Sequence, residues 1–261
     1  MAGLVCIAGM ATLAILAPTI SPYDPLALGD RALAQPEARH LFGTDDLGRD
    51  ILSGILHGAR ISLTIGFLAA LTATGVGVLV GAVAGYYGGS VDDLLMRVTE
   101  WFLVIPQFFL VLIVAALFGP RTLNVILVIG LLGWPATARL VRAQFLALRE
   151  REFVLAARTL GAGDWRIIMR QILPNGLAPA IVSGSLQVAA AVLIESNLRF
   201  LGLSDPNVVS WGGMLNSAQR FLFQAWWTAA FPGAAIFVTV LGFNLLGDGL
   251  NDALNPRTRR R

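Results

Sequence analysis

The chain has 261 residues, 56% of them hydrophobic and only 13% charged, with a mean hydropathy of +0.72. Soluble domains carry nearer a quarter charged residues, so this balance excludes an ordinary soluble domain and points to an integral membrane protein. The apolar runs are continuous rather than alternating, which excludes a β-barrel and predicts an all-α polytopic membrane protein with about six transmembrane helices.

The net charge of +3 and pI near 9.7 are read as membrane topology rather than nucleic-acid binding, because the basic residues lie mostly between and after the apolar runs. All 19 basic residues are Arg, which reflects coding composition and carries no function. Cys6, the single cysteine, lies inside an apolar run and is read as a packing residue.

The first span is expected at 4–20. No Arg or Lys precedes it and it exceeds the apolar core of a signal peptide, so it reads as a transmembrane helix. Almost nothing precedes this run, so a short cytoplasmic start is either missing from the sequence or never existed. A polar external loop is expected at 21–60. In it Gly43 and Gly48 flank Asp45-Asp46 as turn residues, and Asp50 is placed to cap the following helix. The acidic cluster lacks the alternation and length of a calcium loop.

The second span, 61–86, carries Gly77, Gly81, Gly85 and, beyond its end, Gly89 at four-residue spacing. That places them on one helix face, where small residues allow close helix packing in lipid, within the chain or against another subunit. After a polar piece, 90–100, come spans at 101–118 and 122–146, with Pro106 and Pro135 inside them as kink sites. The fifth and sixth spans are expected at 172–198 and 228–246, with Trp226 and Trp227 at the membrane interface and a basic tail over 257–261.

Arg97, the run from Arg139 to Arg170 and the tail fall on one side of this topology. Arg31, Arg39, Arg49, Arg60, Arg121, Arg199 and Arg220 fall on the other. The richer side is cytoplasmic by the positive-inside rule, which puts both termini and the loop 150–171 there.

That loop has an ordered pattern. Glu152 to Leu160 favours a short helix containing Leu155-Ala156-Ala157 and Arg158, Gly161 can end it in the left-handed conformation, and Asp164 can cap a second helix. Leu173-Pro174 then bends the chain back into the membrane. A helix docked in a groove of another protein and an amphipathic helix lying on lipid both fit this spacing.

Leu155-Ala156-Ala157, Gly161 after three residues, and Gln171-x-Leu173-Pro174 after nine more resemble the "EAA" loop of ATP-binding cassette importer permeases, whose pattern is Glu-Ala-Ala, three residues, Gly, nine residues, Ile-x-Leu-Pro. Leu155 replaces the Glu and Gln171 the Ile, with Glu152 three residues upstream; a salt bridge from position 155 is therefore out of reach. Further stretches are similar to the C-type permease subunits of the dipeptide/oligopeptide/nickel family: His40 to Asp50, Gly58 to Leu63, Glu195 to Leu203, Trp211 to Leu215 and Asn244 to Arg257.

The resemblance implies one half of a type I ABC importer permease fold in a bacterial or archaeal cytoplasmic (inner) membrane. The implied partners are a homologous second permease subunit, two ATPase subunits docked at the coupling loops, and an extracytoplasmic substrate-binding protein. Glu152, Leu155, Ala156, Ala157, Arg158, Leu160, Gly161 and Asp164 are the implied coupling residues. No catalytic residue, metal or cofactor is expected in the chain itself. It contains no Gly-x-x-x-x-Gly-Lys-[Ser/Thr] phosphate loop, so ATP and Mg would be handled by the partner ATPases. Peptides are the expected cargo, with nickel chelates, glutathione or opines as alternatives.

Glu195 is the one acidic residue within the six spans. It reads either as part of a gate that could contact a substrate amine or as half of a structural pair with a nearby Arg, and the second is favoured. Asp248 and Asp252 read as capping or pairing residues. A membrane-embedded enzyme is disfavoured by the lack of clustered catalytic groups among the spans. An ATP-independent channel or scaffold would not need a docking loop.

Overall fold

The computed structural model describes residues 1–119, 121–203, 205 and 207–254. The basic tail read at 257–261 lies outside them, as do positions 120, 204, 206 and the end of the 244–257 motif. The described secondary structure is helical apart from one isolated bridge between Thr44 and Asp50.

Five helices are long and apolar enough to cross a membrane: α1 (Ala2–Ile20), α2 (Ile51–Tyr87), α5 (Thr122–Arg149), α9 (Ala178–Phe200) and α11 (Trp227–Leu254). A sixth crossing arises if α3 (Gly89–Val104) and α4 (Gln107–Phe118) form one span, but they bend by 81° at their junction. Pro106 causes the break: its ring removes an N–H and forces the preceding residue out of the helical region, and Ile105 is extended at φ −82°, ψ 125°. Residues 101–118 are therefore two helices rather than one. The interval 90–100, taken as a polar link, is helical within α3. Pro135, by contrast, lies inside an uninterrupted α5.

The long external loop also ends earlier than its composition suggests. Helix α2 begins at Ile51, so residues 51–60 are its first turns. At 37 residues it spans about 55 Å, well beyond the ~30 Å hydrocarbon layer, and it links the loop at one end of the bundle to the α5–α9 connection at the other.

The loop 21–50 is held by inward-pointing polar side chains. Asp50, 4% exposed, caps α2 by accepting from the Ser53 backbone N–H (2.8 Å) and hydroxyl (2.7 Å), and pairs with His40 Nδ1 at 2.9 Å. Gly43 and Gly48 take positive φ, 78° and 76°. Trp227 donates its indole N–H to the Thr44 carbonyl at 3.3 Å and is buried, whereas Trp226 is 58% exposed. Only one of the two expected interface tryptophans therefore faces outward; the other closes the loop.

Helices α2 and α5 form the most extensive seam. A Cβ on Gly77 would stand 2.6 Å from Thr137 Cβ, one on Gly81 2.4 Å from the Ala138 carbonyl, and one on Gly85 2.6 Å from Phe145 Cβ. The stripe thus faces α5 of the same chain, where no side chain larger than hydrogen fits and backbones meet at van der Waals contact. Gly89 does not continue it, standing at φ 53° with nothing within 4 Å. Asp92 of α3 accepts two hydrogen bonds from the Arg142 guanidinium, clamping α3 to α5 in a bidentate pair.

Candidate functional site

The connection between α5 and α9 folds into α6 (Glu152–Thr159), α7 (Asp164–Ile167), a π-helical turn (Ile168–Ile172) and α8 (Leu173–Gly176). Three aliphatic side chains pin it to the bundle. Val154, Ile167 and Ile172 are fully buried in one cluster with Ala82 and Tyr86 of α2 and Val141 and Phe145 of α5. Each such burial contributes about 2 kcal/mol.

Gly161, at φ 81°, ends α6 in a Schellman motif. Its N–H reaches the Arg158 carbonyl at 3.0 Å, and the Ala162 N–H reaches the Ala157 carbonyl at 3.0 Å. Asp164 behaves differently from a capping residue. Gly163 occupies the N-cap of α7, and the Asp164 carboxylate instead accepts a 2.6 Å hydrogen bond from the Tyr86 hydroxyl. Arg158 approaches the same hydroxyl with Nη2 at 3.5 Å and stacks its guanidinium 5.8 Å above the Tyr86 ring. That hydrogen bond raises the Arg158 pKa above its ordinary value. Tyr86 therefore ties the end of α2 to both α6 and α7. Arg149 closes the joint by donating to the last α2 carbonyls, Gly85 and Tyr86, at 3.2 and 3.3 Å.

Other apolar side chains of the connection lie at its surface. Phe153 (41%), Leu155 (45%), Leu160 (88%), Trp165 (74%) and Met169 (40%) are exposed, with Ala156 and Gly161 among them. Glu152 is exposed at the start of α6. Ala157 does not share this face, being half-buried against the anchoring cluster. These apolar side chains alternate with exposed polar ones, among them Arg151, Arg158, Arg166 and Arg170.

Pro174 lies within α8, after a π turn in which the Leu173 N–H reaches back to the Ile168 carbonyl. The helix interruption comes three residues later, at Leu177, and Pro179 occupies the first turn of α9. Two prolines rather than one thus frame the corner, each removing a backbone donor. Tyr86, Trp165 and Pro179 were not singled out from the sequence; a Trp inside an Arg-rich loop was the available signal for one of them.

Glu195 and Arg199 form an ion pair on one face of α9, Oε1 to Nε 2.6 Å, with side chains 0% and 1% exposed. Ser62 donates to Glu195 Oε2 at 3.2 Å and Ser196 at 3.4 Å. Both guanidinium Nη atoms lack hydrogen-bond partners among the described residues. Glu195 is therefore paired within its own helix. Among the described residues no group of three or more His, Cys, Asp or Glu is arranged to hold a metal.

Residues 77–260 match the protein family described as binding-protein-dependent transport system inner membrane component. The chain belongs to this family. It is 42% identical over 260 residues to a dipeptide transport system permease protein of Alkalihalophilus pseudofirmus, covering 98% of this chain and 85% of the relative. The corresponding protein of Bacillus subtilis is 41% identical, with 100% and 82% covered. Among solved structures, a chain of the inward-facing MetNI methionine ABC transporter superposes with a TM-score of 0.59 at 17% identity, covering 78% of this chain and 98% of that one. An amino acid ABC transporter crystallised with histidines gives 0.58 at 15% identity, covering 81% and 95%. The fold is therefore that of type I ABC importer permeases. This permease is a multi-pass membrane subunit that works with partner subunits.

Proposed function

We propose that this permease forms half of the translocation path of an ATP-driven importer that carries dipeptides or oligopeptides across the cytoplasmic membrane. The observation behind the cargo is the identity of about 40% along nearly the whole chain to relatives named as dipeptide transport permeases. Nickel-chelate, glutathione or opine import would use the same machinery with a different binding protein.

The α5–α9 connection is the coupling element. Its buried pegs and the Tyr86 joint make it rigid with α2 and α5, and its exposed apolar face fits a groove on an ATPase subunit. A second permease subunit, two ATPases and an extracytoplasmic binding protein complete the assembly. The connection and both termini face the cytoplasm. ATP and Mg stay with the ATPases, so this chain is not the enzyme. ATP-driven closure of the ATPase pair moves the coupling elements, and the α2–α5 unit carries that motion through the membrane as an alternation between two states.

The test is copurification. Ala156 is exposed, so Ala156→Arg leaves the bundle packing alone and introduces a bulky charge at the docking face. The variant permease pair should lose its ATPase subunits during purification while keeping its own fold. ATPases that stay bound, with peptide uptake intact, would sink the coupling assignment and favour the channel or scaffold reading.

A further inference from the structure

At mid-helix depth, α2, α5, α9 and the start of α4 line an open pocket of about 260 Å³. Most of its wall is small and apolar, and none of its lining residues is ionisable. Two side-chain amides enter it. Gln187 Nε2 donates to the Thr137 hydroxyl, which itself lies 3.5 Å from the Ser183 hydroxyl. Gln187 Oε1 is buried and has no partner. Turning the amide over would only exchange a stranded acceptor for a stranded donor.

Gln107, the first residue of α4, approaches from the other side and shows no side-chain hydrogen bond among the described residues. The two amides converge above Gly133. The point where a Cβ on Gly133 would stand is 3.6 Å from Gln107 Nε2 and 4.0 Å from Gln187 Oε1. The nearest atom to that point is Ala73 Cβ at 3.2 Å, so the two amides flank one spot beside the Ala73 methyl where Gly133 contributes no side chain.

A purely structural role accounts for part of this arrangement only. The Thr137–Ser183 contact and the Gln187 donor already link α5 to α9, leaving the buried Gln187 amide oxygen over, a costly unpaired group in an apolar setting, while the half-buried Gln107 amide stays open to an incoming partner. The pocket has room for several waters or a short stretch of extended chain.

We propose, building on the peptide reading above, that Gln107 and Gln187 form a transit site that hydrogen-bonds the main-chain amide of the peptide as it passes. The donor meets the peptide carbonyl and the acceptor meets the peptide N–H. The uncharged wall makes no demand on side-chain charge, so the site reads the feature that all peptides share.

The test uses the complete importer, both permeases with two ATPases and the binding protein, in proteoliposomes. Uptake of alanyl-alanine is compared with uptake of its depsipeptide, in which an ester oxygen replaces the amide N–H, each at saturating binding protein. The wild type should favour the dipeptide about three- to tenfold, the size of one hydrogen bond. Gln187→Leu should bring the ratio close to one. Gln107→Leu, which breaks no hydrogen bond within the chain, should reduce uptake of both compounds through loss of the carbonyl contact. Variants that keep both the wild-type ratio and rate overturn the proposal. So does failure of the variants to assemble with the second permease while the assembled fraction transports normally, since the glutamines would then be a subunit contact. A wild type that imports neither compound removes the peptide reading, and the transit site falls with it.

Discussion

The two polar intervals of this permease are built in opposite senses. In the loop 21–50 and its junction with α2, the polar groups point inward: Thr44, Asp50 and Ser53 are buried and hydrogen-bonded to each other's surroundings, and Trp227 seals the turn. In the α5–α9 connection three aliphatics point in, Asp164 and Arg158 meet the Tyr86 hydroxyl, and Leu160 and Trp165 are exposed. The first region is held by polar contacts made within the chain, although Leu28, Leu41 and Leu47 also stand exposed on it. The second is held by aliphatic contacts, and on the coupling reading proposed above its exposed Leu160 and Trp165 are the side chains that would meet a neighbour.

The comparison breaks most visibly at Asp50. Its carboxylate accepts from two Ser53 donors and pairs with His40, with its side chain 2% exposed. Asp50→Ala removes a helix cap and strands buried donors, a loss of about 3 kcal/mol. For a domain of this size that is about 6–12 °C in the thermal midpoint of the detergent-solubilised permease. ATPase docking should be unaffected in the protein that remains folded. A midpoint within a degree of wild type would mean that the loop is not self-contained.

Trp165→Ala should show the reverse pattern. The ring is 74% exposed, so its removal leaves stability within about 0.5 kcal/mol. As a central aromatic anchor it should cost about 2 kcal/mol of ATPase binding, roughly a thirtyfold rise in Kd. Titration of purified ATPase onto the permease in nanodiscs measures this. An unchanged Kd would place Trp165 on lipid instead.

Much of this contrast was legible in the sequence, for reasons that differ by residue. The helices declared themselves through continuous apolar runs, and Gly161 through the positive φ that a helix end requires. The Gly77, Gly81, Gly85 face followed from four-residue spacing, but its partner did not: only the fold shows that α5 supplies the other wall. Pro106 was visible as a kink site, while the 81° turn depends on where α4 packs. The largest shortfall concerned polar partners. Asp164 had a good local reading as a cap, yet the Tyr86 hydroxyl, 78 residues away in sequence, competes for the carboxylate and wins. The same holds for Trp227, whose indole finds the Thr44 carbonyl rather than the membrane interface. Spacing encodes faces; it does not encode which distant group comes to meet them.

Tyr86 offers the finest test of the comparison, because its hydroxyl joins the connection to the long helix that reaches the loop 21–50. Tyr86→Phe keeps the ring, its place in the anchoring cluster and the stacking of Arg158, and deletes only the hydroxyl that Asp164 accepts from. The loss is about 1 kcal/mol, too small to unfold the connection or release the ATPase. What should change is stiffness between α7 and α2. If force passes through that joint, ATP hydrolysis continues while peptide uptake per ATP falls about fivefold, the kinetic equivalent of 1 kcal/mol. If force passes through the buried pegs Val154, Ile167 and Ile172 alone, the ratio stays at its wild-type value, and the hydroxyl serves only to satisfy a carboxylate beside the membrane.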